Sequence, residues 1–298
     1  MSDEMLGFLK DRDIKFTLNA KLDRLSYIKA GGTARMLAEP ESLSQLCELS
    51  SRLAKEKIPY RIIGRMSNTM SGDGEYDGVV IKTDKLNRKY GAESTIVAEC
   101  GAKLSDVIWD MARRDMGGCE ELFLIPASVG GAVYNNAGAH GRCISDVIAS
   151  CEVYYPKDRR TVTLSREEMC FGYRDSLLKS RDAILLRATL KFEKKPFSDI
   201  KERIRECAKI RRAAQPLEYP SLGSVFKRHG DVGAGYYIDR AGLKGLRVGN
   251  AEVSRKHAGF IINLGGAVPS DITTLIIEVK RRVFDTFGIM LEEEIEII

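Results

Sequence analysis

The sequence has few of the residues that build metal sites, and it has no long apolar run. Its only histidines are His140, His229 and His257, and its seven cysteines are scattered without a C-x-x-C pair. We therefore expect no metal site, and we expect the cysteines to be reduced core thiols of a cytoplasmic protein. No stretch approaches the length of a transmembrane helix, and residues 1–5 (MSDEM) are acidic. Neither a signal peptide nor insertion into a membrane is expected.

The two commonest glycine signatures of nucleotide-binding folds are also missing. The chain has neither G-x-G-x-x-G opening a helix nor a P-loop. Its net charge of +5 suits small anionic ligands. The one dense basic stretch, residues 201–212, carries interleaved glutamates and apolar residues at helical spacing, which is typical of a solvated amphipathic helix. A nucleic-acid-binding protein would have a denser basic stripe, so we expect no nucleic-acid partner.

What the chain does have is two segments of small residues. Residues 125–141 read IPASVGGAVYNNAGAHG, and residues 64–68 read GRMSN directly after the β-branched run 60–63. Glycine and alanine leave backbone N–H groups unshielded, and turns with positive φ let these groups converge on an anion such as a pyrophosphate. A tight turn between strands explains a Gly-Gly pair equally well. Two such segments together favour a nucleotide held by loops of an α+β domain.

Periodicity predicts two or three domains of mixed helix and strand in this chain of 298 residues, 44% of them hydrophobic. A capping box at 42–45 opens a helix that Pro59 ends, and Leu104, Val107, Ile108 and Met111 share one face of a second helix. The basic helix stops before Pro216, and a closing helix starts at Ser270 or Asp271 and ends at Gly288. The predicted strands are 60–63, 78–82, 95–99, 151–155, 161–164 and 184–192.

The order of the motifs resembles the UDP-N-acetylenolpyruvoylglucosamine reductase family, also called MurB. The resemblance begins near residue 20 and reaches the C-terminus. It is carried by 27–34 (YIKAGGTA), 64–68, 125–141, 173–176 (YRDS), 220–227 (PSLGSVFK), 241–254 (AGLKGLRVGNAEVS), 257–263 (HAGFIIN) and 287–294 (FGIMLEEE). The chain looks most like the shorter subtype, because the segment between Arg174 and Gln215 has no room for an extra substrate-covering loop.

The resemblance implies an α+β fold with a two-subdomain FAD-binding part of the vanillyl-alcohol-oxidase (PCMH) type and a C-terminal α+β substrate-binding domain. The expected division is 1–85 for the first FAD-binding subdomain, 86–195 for the second and 196–293 for the substrate domain. The C-terminal strand 294–298 is expected to join the first subdomain.

The implied activity is FAD-dependent reduction of UDP-N-acetylglucosamine enolpyruvate to UDP-N-acetylmuramate with NADPH, in peptidoglycan precursor synthesis. The partner is then a UDP-sugar, and a monomer is expected. Arg174 would hold the substrate carboxylate and steady the enolate, Ser224 would donate the proton, and Glu294 would help to polarise the enol. Expected cofactor-binding residues are Gly64, Arg65, Ser67, Asn68, Pro126, Ser128, Gly130, Gly131, Ala132, Asn136 and Gly138. Expected substrate-binding residues are Tyr173, Lys227 and Arg228.

Four positions depart from the family pattern. Met66 and Ala127 stand for glycines, His140 for a tyrosine and Asn250 for a glycine. Met66 matters most, because a side chain there could crowd the pyrophosphate. Two alternatives therefore stay open: a flavin oxidase of the same fold with another substrate, and a flavin or nucleotide-sugar binder without catalytic activity.

Overall fold

The computed structural model describes residues 2–298 and has eight α-helices in that range. They are α1 (Asp3–Asp11), α2 (Leu43–Glu56), α3 (Leu104–Ala112), α4 (Val129–Tyr134), α5 (Leu177–Ser180), α6 (Phe197–Ala214), α7 (Ala234–Arg240) and α8 (Pro269–Phe287). Two short 3-10 helices span Glu120–Leu122 and Ile144–Asp146.

Strands are short and numerous among the same residues. The first ten are β1 (Lys15–Lys21), β2 (Thr33–Glu39), β3 (Tyr60–Ile63), β4 (Thr69–Met70), β5 (Glu75–Lys82), β6 (Lys89–Tyr90), β7 (Thr95–Glu99), β8 (Met116–Gly117), β9 (Gly138–Ala139) and β10 (Arg142–Cys143). The others are β11 (Ile148–Tyr155), β12 (Arg160–Ser165), β13 (Ile184–Lys191), β14 (Glu193–Lys194), β15 (Ser221–Ser224), β16 (Arg247–Val248), β17 (Ala251–Val253), β18 (Phe260–Asn263) and β19 (Glu296–Ile297).

The chain divides into two compact units. Unit 1 contains the residues up to Leu18, Met36–Arg65 and Gly78–Lys209; unit 2 contains Asn19–Arg35, Met66–Asp77 and Ile210–Ile298. Strands β1, β2 and β5 each begin in one unit and end in the other. Each unit is therefore assembled from several separate stretches of the sequence.

Unit 1 has a five-stranded antiparallel sheet in the order β12-β11-β13-β7-β6. Ala188 of β13 lies opposite Cys151 of β11 and Ala98 of β7, and all three side chains are buried. Helix α3 contributes Val107 and Met111 to the same core. The inward-facing side chains of the strands and the apolar face of helix α3 thus pack in one hydrophobic layer.

A second sheet has the order β1-β2-β5-β3, and β3 runs parallel to β5. Helix α2 begins at its N-cap Ser42, whose Oγ accepts the backbone N–H of Gln45 at 3.2 Å, and buries Leu46 and Leu53 in the core. The connection from β3 to β5 contains residues 64–68. Segment 64–68, the first small-residue segment in chain order, therefore starts where the parallel strand β3 ends.

Unit 2 has an antiparallel sheet in the order β15-β18-β17-β16, and helix α8 packs on it. The buried stripe of α8 consists of Ile272, Leu275, Ile276, Val279 and Val283. Strand β19 pairs in parallel with β4, Glu296 opposite Thr69 and Ile297 opposite Met70. These pairs bring the 66–77 segment and the end of the chain together within unit 2.

The structure confirms the α+β class, and it confirms the predicted strands to within a few residues. The start of α8 was placed wrongly: the N-cap is Val268 rather than Ser270 or Asp271, and Pro269 takes the first helical position. Proline suits that position because its fixed φ is helical and its missing N–H would have no intrahelical acceptor. Gly288 ends the helix at φ 69°, as predicted.

Two other sequence expectations need correction. The run 125–141 contains a short helix, α4, where an open loop was expected, and Cys170 is exposed rather than in the core. Buried positions are Cys100, Cys119, Cys151 and Cys207. Within residues 2–298, no helix is both long enough and apolar enough to cross a membrane.

Candidate active site

The segment 64–68 carries a set of backbone donors. Among the described residues, the N–H groups of Gly64, Met66, Ser67 and Asn68 donate to no protein acceptor. A Cβ on Gly64 would overlap Ser128 Oγ, so only glycine lets these two predicted cofactor-binding residues approach so closely. Converging N–H groups fit the oxygens of a pyrophosphate, and this donor set is therefore suited to FAD.

Met66 lies in the left-handed backbone region, with φ at 47°, and its side chain is 3% exposed. Its carbonyl accepts the N–H of Tyr27 at 3.1 Å. Glycine adopts this φ without strain, which explains why a glycine is usual here. The buried methionine side chain therefore does not project into solvent.

The second small-residue segment offers space rather than donors. Ser128 caps α4 by accepting the N–H of Gly131 at 3.1 Å, and Gly130 N–H donates to Cys100 O at 2.7 Å. The N–H of Ala132 donates to Ser128 O at 2.9 Å. Gly131 is exposed, and a Cβ on it would contact only Ser128 Oγ, at 3.4 Å. The start of α4, which follows the half-buried Pro126, is thus a bare surface against which a flat ligand can lie.

Tyr173 and Arg174 form the tip of a tight turn closed by mutual hydrogen bonds between Gly172 and Asp175. Arg174 has φ at 54°, its guanidinium donates to Gly138 O at 3.1 Å, and it lies 5.4 Å from the Tyr173 ring.

The amide of the buried Asn136 holds this turn in place. It donates to Gly172 O at 2.8 Å and accepts the N–H of Ser145 at 3.3 Å. The structure therefore brings four predicted site residues of unit 1 together: Asn136, Gly138, Tyr173 and Arg174.

Ser224 and Glu294 lie on adjacent segments of unit 2. Val225 O accepts the N–H of Glu294 at 2.8 Å, and Lys227 N–H donates to Glu292 O at 2.9 Å. Asn68 Nδ2 donates to Glu294 O at 2.9 Å. The half-buried Ser224 hydroxyl donates to Phe226 O at 3.2 Å. Ser224 and Glu294, seventy positions apart in the sequence, thus lie on hydrogen-bonded segments. The Asn68 side chain joins segment 64–68 to them.

Two of the predicted substrate-binding residues, Lys227 and Arg228, come three and four positions after Ser224. Lys227 is half-buried and forms an ion pair with Glu292, whereas Arg228 is exposed. Arg65 and Ser67 are both half-buried.

His257 is the residue that sequence reasoning left unassigned, although it lies in the motif 257–263. Its ring contacts the Phe260 ring at 4.8 Å between centroids, and its Nδ1 accepts the N–H of Gly259 at 3.1 Å. Burial lowers the pKa of His257 below its ordinary 6.5. The closeness of His257 to Gly259 in the sequence was the available sign of a role for this histidine. The sequence does not reveal which residues Gly259 contacts.

The other departures from the family pattern lie apart from these groups. His140 is exposed at φ 50°, and the Asn250 N–H donates to the carboxylate of Asp271 at 3.2 Å. Ala127 is half-buried just before the α4 cap.

Comparison with known proteins gives the same assignment over nearly the whole chain. A family model of the UDP-N-acetylenolpyruvoylglucosamine reductase C-terminal domain matches residues 215–298, and a FAD binding domain model matches 34–165. The reductase of Caldicellulosiruptor saccharolyticus is 40% identical over 97% of this chain and 94% of its own. That of Streptococcus pneumoniae strain JJA is 40% identical over 99% of this chain and 97% of its own. The crystal structure of the Thermus caldophilus reductase superimposes with a TM-score of 0.80 and 32% identity, covering 95% of this chain and 98% of that one. The chain belongs to the MurB family of UDP-N-acetylenolpyruvoylglucosamine reductases.

Proposed function

We propose that this chain reduces UDP-N-acetylglucosamine enolpyruvate to UDP-N-acetylmuramate with NADPH and FAD, a step of peptidoglycan precursor synthesis. Family membership over nearly the full length and the FAD binding domain support this reaction. The structural observation that carries it is the Val225–Glu294 hydrogen bond, which sets Ser224 beside Glu294. An oxidase of the same fold acting on another substrate has no need of that pair.

When bound, the cofactor supplies hydride transfer, from NADPH to the flavin and from the flavin to the methylene carbon of the enolpyruvyl ether. The substrate then carries an enolate with negative charge beside its carboxylate. Arg174 would hold that carboxylate, because a guanidinium is permanently charged and binds two oxygens at once. Its turn is already fixed by Asn136, so little ordering is needed when the substrate arrives.

Ser224 would donate its hydroxyl proton to C2 of the substrate. A serine is a weak acid in water, but an enolate carbon is a strong base, and a fixed donor does not have to be recruited from solvent. The Ser224 oxygen then regains a proton from water. Glu294 would polarise the enol from the neighbouring segment.

The remaining assignments concern binding. Lys227 and Arg228 would bind the UDP phosphates by charge, and Tyr173 would contact the substrate beside Arg174. The FAD pyrophosphate would lie on the N–H groups of 64–68. The proposed cofactor-binding residues are Gly64, Arg65, Ser67, Asn68, Pro126, Ser128, Gly130, Gly131, Ala132, Asn136 and Gly138.

We also propose a cytoplasmic monomer with FAD-binding subdomains at 1–85 and 86–195 and a substrate domain at 196–293. The β19–β4 pairing supports the assignment of the terminal strand to the first subdomain. The two compact units divide the chain differently, since they group Asn19–Arg35 and Met66–Asp77 with the C-terminal stretch.

The test separates the two half-reactions in rapid-mixing experiments on the purified, flavin-loaded protein. Ser224→Ala should leave flavin reduction by NADPH within about twofold of wild type and slow flavin reoxidation by the enolpyruvyl substrate by about a thousandfold or more. Ser221→Ala, on the same strand, is the matched control. Equal slowing of both steps, or of neither, would remove Ser224 from the proton-donor role. A folded protein that binds no FAD would remove the reductase assignment itself.

A further inference from the structure

His257 lies in a tight turn that ends beside Ser224. The buried Ser254 hydroxyl accepts the N–H groups of Lys256 and His257, each at 3.2 Å. Ser254 N–H donates to Phe260 O at 2.9 Å, and Phe260 N–H donates to His257 O at 3.0 Å. These bonds fix the backbone of the turn that carries the imidazole.

The imidazole is a hydrogen-bond acceptor in this turn. Because Nδ1 accepts the Gly259 N–H at 3.1 Å, the neutral ring carries its proton on Nε2. A protonated ring has no free acceptor and would lose this bond. Burial lowers the pKa of His257 and outweighs a hydrogen bond with the residue's own backbone, which raises it; the nearby charge of Lys244 lowers the pKa further. Lys244 is itself paired with Asp239 at 2.7 Å.

A row of hydrogen bonds continues from His257 to the proposed catalytic residues. Gly259 donates its N–H to the imidazole and accepts the N–H of Val225 on its own carbonyl at 2.8 Å. Val225 in turn accepts the N–H of Glu294 at 2.8 Å. One ring nitrogen is therefore linked, through Gly259 and Val225, to Glu294.

The side chains also meet at Gly259. A Cβ at this glycine would lie 3.1 Å from His257 Cε1 and 3.3 Å from Ser224 Oγ, closer than most real Cβ contacts. The imidazole edge and the serine hydroxyl therefore flank the same backbone atom.

We propose that neutral His257 is a positioning residue, which holds the Gly259 peptide and through it fixes Ser224 and Glu294 for proton transfer to the substrate. The proposal rests on the proposed function of Ser224. It makes proton transfer depend on the imidazole charge although the ring does not touch the reacting carbon. The substrate-reduction step should therefore fall as the pH drops through the His257 pKa, below 6.5, while flavin reduction by NADPH should not.

Two isosteric variants test the role of Nδ1. The Oδ1 of His257→Asn reaches the Nδ1 position and accepts a hydrogen bond without titrating, whereas the oxygen of His257→Gln reaches toward the Nε2 position instead. We expect the asparagine variant to keep substrate reduction within about threefold of wild type and to lose the acid limb. The glutamine variant should lose about tenfold or more in that step, the equivalent of one lost hydrogen bond, with KM nearly unchanged.

A second readout does not depend on activity. The ¹⁵N spectrum of the holoenzyme should show an unprotonated Nδ1 and a protonated Nε2 for His257 at neutral pH, assigned by its loss in His257→Asn. Protonation on Nδ1, or equal rates and pH profiles for the asparagine and glutamine variants, would overturn the proposal. Ser224→Ala keeps the two claims apart: if it fails to slow substrate reduction, the Ser224 assignment is wrong. If it succeeds while both His257 variants match wild type, only the His257 proposal is wrong.

Discussion

At the scale of single residues, the candidate site includes strained backbone positions. Non-glycine residues with positive φ include Met66 at 47°, Asn136 at 38° and Arg174 at 54°. Such conformations cost about 1–3 kcal/mol each and persist only where the surroundings enforce them. Burial of its side chain holds Met66, and hydrogen bonds hold Asn136 and Arg174. Asn136 and Arg174 are predicted site residues, and Met66 lies between two others, Arg65 and Ser67.

Met66→Gly exchanges two effects of opposite sign. It relieves the left-handed strain, about 1–2 kcal/mol, but it loses a buried side chain that contributes about 1.5–3 kcal/mol and it adds entropy to the unfolded chain. We expect the free energy of unfolding to fall by about 1–2 kcal/mol, measured by urea denaturation. FAD titration should show no gain in affinity, because the methionine side chain is buried rather than exposed in a ligand cleft.

Met66→Ala is the control for the strain term, since alanine loses the same packing but keeps a Cβ at positive φ. It should be less stable than Met66→Gly by about 1 kcal/mol, the reverse of the usual order. An alanine variant more stable than the glycine variant would show that φ at this position is not strained.

At the scale of elements, the Asn136 amide joins the end of α4 to the Tyr173–Arg174 turn. Asn136→Ala leaves Gly172 O and Ser145 N–H without their partner in a buried place, which should cost about 2–4 kcal/mol of unfolding free energy. Asn87→Ala is the matched control, because its amide also donates to a carbonyl, Asp84 O, but in an exposed place. Equal loss in the two variants would mean that the turn does not depend on Asn136.

Elements with a strong local signal were predictable from the sequence. The Ser42 and Gln45 pair marks the start of α2 because each side chain bonds the backbone of the other. Helix α4 was not predictable, since Gly130 and Gly131 have poor helix propensity and the helix depends on the Ser128 cap and on tertiary bonds to Cys100 and Ala102.

The site was predictable in its residue types but not in its hydrogen bonding. The resemblance pointed to Ser224 and Glu294, yet nothing in either motif shows that Val225 joins them. The sequence predicted anion-binding N–H groups in both small-residue segments, 64–68 and 125–141. In α4, the N–H groups of Val129 and Gly130 donate to Ala102 O and Cys100 O. Hydrogen bonds between residues so far apart in the sequence leave no periodic pattern from which they could be predicted.

At the scale of the whole molecule, burial predicts the reactivity of the thiols. Burial raises the pKa of Cys100 and of Cys151 to about 12, so these groups are neither accessible nor ionised at neutral pH. An alkylating reagent should modify the exposed Cys170 first and reach Cys100 and Cys151 only in denaturant, as read by mass spectrometry of peptides. Early modification of Cys100 would contradict the packing of the core beneath Gly130.

The crossing of β1, β2 and β5 between the two units has a consequence for biosynthesis. Ile28 O accepts the Asn263 amide at 2.8 Å, and the two partners are 235 residues apart. At typical translation rates the ribosome needs about 10–50 s to cover that distance. Asn19–Arg35 can pair early through β1, β2 and β5, but Ile28 O must wait that long for its Asn263 partner. Codon usage or temperature that slows elongation over residues 36–220 would therefore lengthen the period in which unit 2 is incomplete.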